Sequence, residues 1–199
     1  MSLDEYDNRE FDRGRCLLIE QIWLLARAIF LSSWFPGSMF RVVLLRIFGA
    51  RIGKGVVLKP GVRVKFPWRL TIGDYSWIGE DVWIDNLVTV TIGADCCISQ
   101  AVYLCSGSHN WNSQGFDLIT KPIVIQDKVW LAAKSVVGPG VTVREGAVLA
   151  LGSVATRDLE PWRIHLGNPA LPFKRRKRAK KPIGSKHADI HPRIEDVVY

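Results

Sequence analysis

Histidine and cysteine are scarce, at four each in 199 residues. Cys16, Cys96, Cys97 and Cys105 lack the paired spacing of a metal-ligand set or a disulfide framework. Structural thiols in a reducing, cytoplasmic setting are the expectation. Long uncharged apolar runs are also missing. Glu20, Gln21 and Arg27 interrupt the richest one, residues 16–35, which argues against a membrane span. The first fifteen residues are charged, which argues against a cleavable signal peptide. Acidic residues are outnumbered, 19 to 27, for a net charge of +8. Seven of the positives lie in Lys174, Arg175, Arg176, Lys177, Arg178, Lys180 and Lys181. Subtracting those seven from +8 leaves +1 for the body. A nucleic-acid binder needs a basic face on the fold itself, so that class is set aside. The basic run suits a solvated end, an anionic lipid or a phosphorylated ligand.

What the chain has in plenty is a period of six. Ile72 to His109 reads Ile-Gly-Asp-Tyr-Ser-Trp, Ile-Gly-Glu-Asp-Val-Trp, Ile-Asp-Asn-Leu-Val-Thr. After two extra residues it resumes as Ile-Gly-Ala-Asp-Cys-Cys, Ile-Ser-Gln-Ala-Val-Tyr, Leu-Cys-Ser-Gly-Ser-His. The same frame continues through Ile52, Leu58 and Val64 upstream, and through Ile125, Leu131, Val137, Val143, Leu149 and Ala155 downstream. Of these fifteen opening positions, Ala155 alone is not Ile, Leu or Val. Those types make up about a quarter of an average chain, so chance is no rival. Hexapeptide periods point to a parallel β-helix.

A prism wall is a short strand followed by a corner. One aliphatic per wall turns inward, and its neighbours along the strand turn outward. Cys96 falls on a small inward position and Cys97 should face out. Gly53, Gly73, Gly79, Gly93 and Gly138 follow inward residues, where tight backbone favours a residue without Cβ. Three walls make a turn, and turns stack at about 4.8 Å. The spacing predicts a mainly β protein, a parallel helix of about five turns in which each turn contacts its neighbours. Its parts are an N-terminal helical segment (1–50), the β-helix (51–160) and an irregular basic tail (161–199).

Within 1–50, residues 1–15 read as a flexible lead-in. Ile22, Leu25, Ala26, Ile29 and Phe30 recur at helical spacing. Pro36-Gly37 breaks that helix. A second helix over 38–48 carries Phe40, Val43, Leu44 and Ile47 on one side and Arg41 and Arg46 on the other. Two readings compete for this segment: a cap over the open end of the β-helix, or an apolar face lying on a membrane surface. Both can hold together.

Residues 110–121 break the period as a projecting loop, and such loops on rigid scaffolds concentrate function. His109 sits where that loop departs, facing out, the one histidine inside the repeat. A neutral imidazole accepts a proton near pH 7, as a general base must; a plain surface histidine is the alternative. Asp85 and Asn86 lie on the same wall one turn earlier. They would orient the imidazole, hold a substrate hydroxyl, or serve as corner residues. Trp111 and Phe116 in the loop would stack on a substrate ring or pack the loop down. Trp83 and Tyr103 fall on one outward wall on successive turns, and Trp77 and Trp130 also face out, which suggests a subunit contact.

Several stretches resemble the hexapeptide-repeat acetyltransferases: Ser-Gly-Ser-His-Asn-Trp, Val-Trp-Leu-Ala-Ala-Lys-Ser-Val-Val-Gly-Pro-Gly, Gly-Ala-Val-Leu-Ala-Leu-Gly-Ser-Val-Ala-Thr-Arg-Asp-Leu and Gly-Asn-Pro-Ala. Lys-Phe-Pro-Trp-Arg-Leu, Trp-Ile-Asp-Asn and Phe-Asp-Leu-Ile-Thr-Lys-Pro-Ile resemble the colanic acid acetyltransferase type. The resemblance covers roughly residues 40–175. It implies a left-handed coil, against the general rule for parallel crossovers. It also implies a homotrimer with sites between neighbours, and acetyl-CoA as co-substrate without a metal. His109 would deprotonate an acceptor hydroxyl, which attacks the thioester directly. Trp130, Ala132, Ala133, Ala150, Thr156 and Arg157 match positions near the CoA groove. Lys174 or Arg175 would join Arg157 at its phosphates. Arg144 departs from the pattern, standing where glycine is usual.

The favoured reading is O-acetyl transfer to a sugar hydroxyl of an exopolysaccharide or its precursor, in the cytoplasm, with the membrane's inner face as a peripheral contact. The alternatives are acetylation of an antibiotic or amino acid, and a non-catalytic trimeric scaffold. A zinc carbonic anhydrase on this helix would need three histidines from neighbouring walls, and the repeat holds one.

Overall fold

The computed structural model describes residues 2–177. The last part of the expected tail, including Arg178, Lys180 and Lys181, lies outside the described residues. Three parallel sheets form the walls of a prism. The first wall stacks Arg51–Ile52, Leu70–Ile72, Val90–Ile92, Ile123–Ile125 and Thr142–Val143. The second stacks Val57–Leu58, Trp77–Ile78, Cys97–Ile98, Trp130–Leu131 and Val148–Leu149. The third stacks Arg63–Val64, Trp83–Asp85, Tyr103–Cys105, Val136–Val137 and Val154–Ala155. Five turns are complete, and a bridge from Leu159 to Val143 begins a sixth.

The register is the one the period of six demands. Ile52, Ile72, Ile92, Ile125 and Val143 lie directly over one another. All fifteen aliphatic positions are buried, none more than 8% exposed. The small residues four places on also turn inward at the corners. Buried Ser76 shows why small and polar works there. Its hydroxyl donates to the Gly93 carbonyl at 2.7 Å and accepts from the Cys96 amide at 3.0 Å, tying one turn to the next. Cys96 is buried and Cys97 exposed.

Glycine after the inward residue answers to crowding between turns. A Cβ on Gly73 would stand 2.6 Å from the Ala94 nitrogen and the Gly93 carbonyl carbon. The left-handed corner itself falls two residues later, at Tyr75, Asp81, Asp95 and Ala101. Arg144 is accommodated with its side chain turned out: its amide reaches the Leu159 carbonyl and its guanidinium pairs with Asp158 at 3.3 Å.

Helices α1 (Leu17–Ala26) and α2 (Met39–Ile47) close the N-terminal end. A π-helical turn, Arg27–Leu31, continues α1. The Arg46 guanidinium donates to the carbonyls of Ile52 (2.7 Å) and Gly53 (2.9 Å). Ser38 Oγ accepts from the Leu58 amide at 2.7 Å, and the Trp23 indole donates to the Lys65 carbonyl at 2.9 Å. The first turn's free edge is thereby capped. No described helix is long and apolar enough to cross a membrane.

The residues that meet the β-helix are not the ones the helical spacing singled out. Trp23 and Leu31 go inward, while Ile22, Leu25, Ile29 and Phe30 are exposed. In α2, Arg41, Val42 and Leu45 are buried, and Val43 and Ile47 look out. Arg41 is internal because the chain between the helices needs donors. Its guanidinium donates to the carbonyls of Leu31 (3.1 Å), Phe35 (2.8 Å), Ser33 and Gly37. Burial pushes its pKa down from the usual arginine range.

Two other segments are more ordered than their composition suggested. Residues 2–15 are a seated strap: the Ser2 amide reaches the Gln114 carbonyl, and the Trp68 indole donates to the Arg13 carbonyl at 2.8 Å. Arg163–Leu166 joins the second wall, and Leu171–Arg175 folds back on it antiparallel, where an irregular exit was expected.

Candidate active site

The third wall delivers the site. Tyr103–Cys105 leads into Gly107–His109, which pairs antiparallel with Leu118–Thr120, so the projecting loop is a hairpin. Buried Ser106 anchors its base by donating to the Asp85 carbonyl at 3.0 Å. At the tip, the Ser113 hydroxyl donates to Asp117 at 2.5 Å.

His109 points away from the prism. Phe116 lies flat against its ring, with centroids 4.2 Å apart and planes 1° from parallel. Tyr6 of the strap packs 5.6 Å away on a tilted plane. Nδ1 sits 2.8 Å from the Phe116 carbonyl oxygen. A carbonyl can only accept, so Nδ1 carries the proton and Nε2 keeps its lone pair. A backbone carbonyl thus sets the tautomer that a general base requires.

His109 and Asp85 line one cleft of about 390 Å³, together with Tyr103, Lys65, Tyr6 and Arg13. Asp85 Oδ2 accepts from the Tyr103 hydroxyl at 3.1 Å. Its Oδ1 lies 3.8 Å from Lys65 Nζ and is buried without a hydrogen bond among the described residues. Burial first, then the neighbouring Asp85 and Cys105, pushes the Tyr103 phenol well above its usual range. Tyr103 therefore stays a donor to the carboxylate.

Asn86 faces elsewhere. It is fully buried, its Oδ1 accepting from the Phe66 amide at 3.0 Å and the Lys65 amide at 3.2 Å, its Nδ2 donating to the Phe66 carbonyl at 2.6 Å. Its polar atoms are spent on the corner one turn below. Trp111 stands 76% exposed at the hairpin tip, while Phe116 packs on the imidazole.

The residues matched to a CoA groove lie on other faces of the prism. Trp130 is on the second wall, its indole donating to Ser99 at 3.0 Å. Ala132, Ala133 and Ala150 share the corner that follows this wall on successive turns. No Cβ built at nearby Gly152 would meet an atom within 4 Å, so that corner is open. Exposed Thr156 and Arg157 take the corner after the third wall. Lys174 and Arg175 sit on the outermost strand, opposite Ile164 and Arg163. None of the eight lines the His109 cleft within one chain. Trp83 and Tyr103 stack at 4.7 Å on the third wall, and Trp77 and Trp130 are exposed on the second. No cluster of His, Cys, Asp or Glu suited to a metal occurs among the described residues.

Sequence reasoning passed over Tyr6, Arg13 and Lys65. Tyr6 and Arg13 belong to a strap without any period. Lys65 had a weak signal, sitting one place after inward Val64 and one turn below Asp85.

A prism of sixes with a histidine-bearing hairpin on one wall defines the class of hexapeptide-repeat acyltransferases. No family model matches the chain. A protein named as a colanic acid biosynthesis acetyltransferase, WcaF, of Escherichia coli (strain K12) is 42% identical over 168 residues, spanning 83% of this chain and 91% of that one. The chain belongs to the hexapeptide-repeat acetyltransferases, in the branch of the colanic acid biosynthesis acetyltransferase WcaF. A hexapeptide-repeat acetyltransferase of Vibrio cholerae O1 biovar eltor, solved with acetyl coenzyme A, superposes with a TM-score of 0.74 at 26% identity, over 81% of this chain and 88% of that one. A galactoside acetyltransferase solved with coenzyme A shares the fold at a TM-score of 0.70 and 22% identity, over 80% of this chain and 83% of that one. This chain is accordingly an acetyltransferase that uses acetyl-CoA.

Proposed function

We propose that the acceptor is a sugar hydroxyl of an exopolysaccharide or its precursor, and that His109 is the base that activates it. The observation that carries this is the Phe116 carbonyl on Nδ1, which leaves Nε2 free to take a proton inside the cleft. The acceptor oxygen attacks the thioester carbonyl as its proton passes to Nε2. A C–O bond forms, the C–S bond breaks, and the proton then goes to the departing thiolate. Asp85 Oδ1 is a second acceptor in the cleft, suited to a hydroxyl of the same sugar. Arg13 and Lys65 also line the cleft, the first paired with Glu20 and the second beside Asp85.

The active unit is a homotrimer. Ala132 and Ala150 are buried and Ala133 half-buried, and the open space beside Gly152 on the same corner is where an extended pantetheine arm would lie against backbone. Arg157, Lys174 and Arg175 offer cations to its phosphates. These faces are remote from His109 within one protomer. A ring of three brings the corner of one prism to the third wall of the next. Free thiols at Cys16, Cys96, Cys97 and Cys105 suit a cytoplasmic setting.

The test is CoA-thiol release against a panel of fucosylated and other glycans, with serine and chloramphenicol as contrasting acceptors. His109→Ala should lower kcat by about 10²–10⁴-fold, the usual worth of general acid–base catalysis. Near-normal turnover in that variant would falsify the assignment. Thiol release driven by serine or chloramphenicol alone would move the acceptor to small molecules. A stable monomer in sedimentation that is fully active would remove the shared site.

A further inference from the structure

The outer face of the N-terminal cap is apolar and uncovered. Leu18, Ile22 and Leu25 on α1, Trp34 and Phe35 between the helices, and Ile47 at the end of α2 are each more than half exposed. A helix apolar nearly all round is ordinarily buried. Scattered exposed leucines need no explanation, but a contiguous face of this kind marks an interaction site.

Charge identifies the occupant. Residues 16–51 hold one carboxylate, Glu20, and four arginines. Glu20 is buried and paired with Arg13 at 2.7 Å, so the face presents no free anion. Arg46 and Arg51 are exposed within the same stretch. Within residues 16–51, exposed apolar side chains, exposed arginines and no unpaired acid suit an anionic bilayer entered to interfacial depth. Trp34 and Phe35 are held outward by a built device. Buried Arg41 donates to four carbonyls of residues 31–37 and fixes the loop that carries them. Such aromatics favour the membrane–water interface. No described helix is long and apolar enough to span, so any contact of this face with a bilayer is interfacial.

We propose that this cap docks on anionic phospholipid. The cleft then opens beside the lipid surface, because Arg13 both lines the cleft and holds α1 through Glu20. An acceptor sugar carried on a membrane lipid would be presented there; this consequence, unlike the docking itself, rests on the sugar-acceptor reading.

The test uses the full chain with vesicles of phosphatidylcholine, alone or with about one-third phosphatidylglycerol, at low salt. The parent protein should co-sediment with the anionic vesicles and much less with phosphatidylcholine alone. Trp34→Ser/Phe35→Ser and Ile22→Ser/Leu25→Ser should each weaken partition about tenfold or more, the worth of withdrawing large apolar side chains from lipid. Assembly size and thiol release with a soluble acceptor should be unchanged, which separates this outcome from a failure of the catalytic reading. Three results overturn the proposal: no binding by the parent, equal binding by the variants, or a change of assembly size in place of lipid binding, which would make a second copy the occupant. Equal partition onto both vesicles overturns the assignment to anionic lipid.

Discussion

Asn86 discriminates between support of the scaffold and chemistry at the site. Asn86→Ala removes the partner of the Phe66 amide and of the Phe66 carbonyl. The Lys65 amide keeps the Ile84 carbonyl at 3.0 Å, so its loss is small. Phe66 is buried, so water cannot readily replace the lost partners. Two buried groups left unsatisfied cost about 1–3 kcal/mol each, hence about 2–6 kcal/mol in total. For a chain of this size that lowers the melting temperature by about 4–24 °C. Asn86→Asp keeps the acceptor but loses the donor to the Phe66 carbonyl, and it buries a charge, so it should do no better. The assay pairs thermal unfolding at fixed protomer concentration with thiol release at low temperature. Stability should fall while kcat stays near the parent value. Unchanged stability with a hundredfold loss of kcat would show that Asn86 reaches the substrate, and would refute the geometry described above.

Gly73→Ala should destabilise by about 1–3 kcal/mol, because its Cβ strikes backbone of the next turn that cannot move alone. Gly152→Ala has open space and meets only the penalty of its left-handed backbone. Equal losses of denaturation midpoint in the two variants would refute crowding as the cause. His165 is buried, its Nε2 accepting from the Glu160 amide at 3.2 Å. Burial depresses its pKa below the ordinary value of 6.5. Below pH 6.5 the unfolded chain therefore binds a proton that the folded chain refuses. This contribution to stability is intact above that pH and is lost as pH falls toward the folded pKa. His165→Gln should flatten the acid limb of the midpoint–pH curve, and a parallel limb in both proteins would refute the assignment.

The prism was legible from sequence because each inward position repeats the same demand. One aliphatic per six residues, a small corner residue and a glycine beneath backbone are local requirements, and local requirements leave a period. His109 was legible for the related reason that it stands where the period stops. Which cap residues are buried was not legible, because burial there is set by the partner surface. Helical spacing places Ile22, Leu25 and Ile29 on one stripe, but Trp23 and Leu31 meet the first turn. Arg41 looked like a solvent residue until four carbonyls were found around it.

By itself, the chain's pattern of sixes determined the architecture, the register and the placement of one outward imidazole. Tertiary structure alone decided that Nδ1 meets the Phe116 carbonyl, that Asp85 shares a cleft with His109 while adjacent Asn86 turns away, and that residues 2–15 roof that cleft. The reason is one of range. Periodicity encodes what a residue owes its own strand, whereas a side chain's partner across a cleft is fixed when distant segments close upon one another.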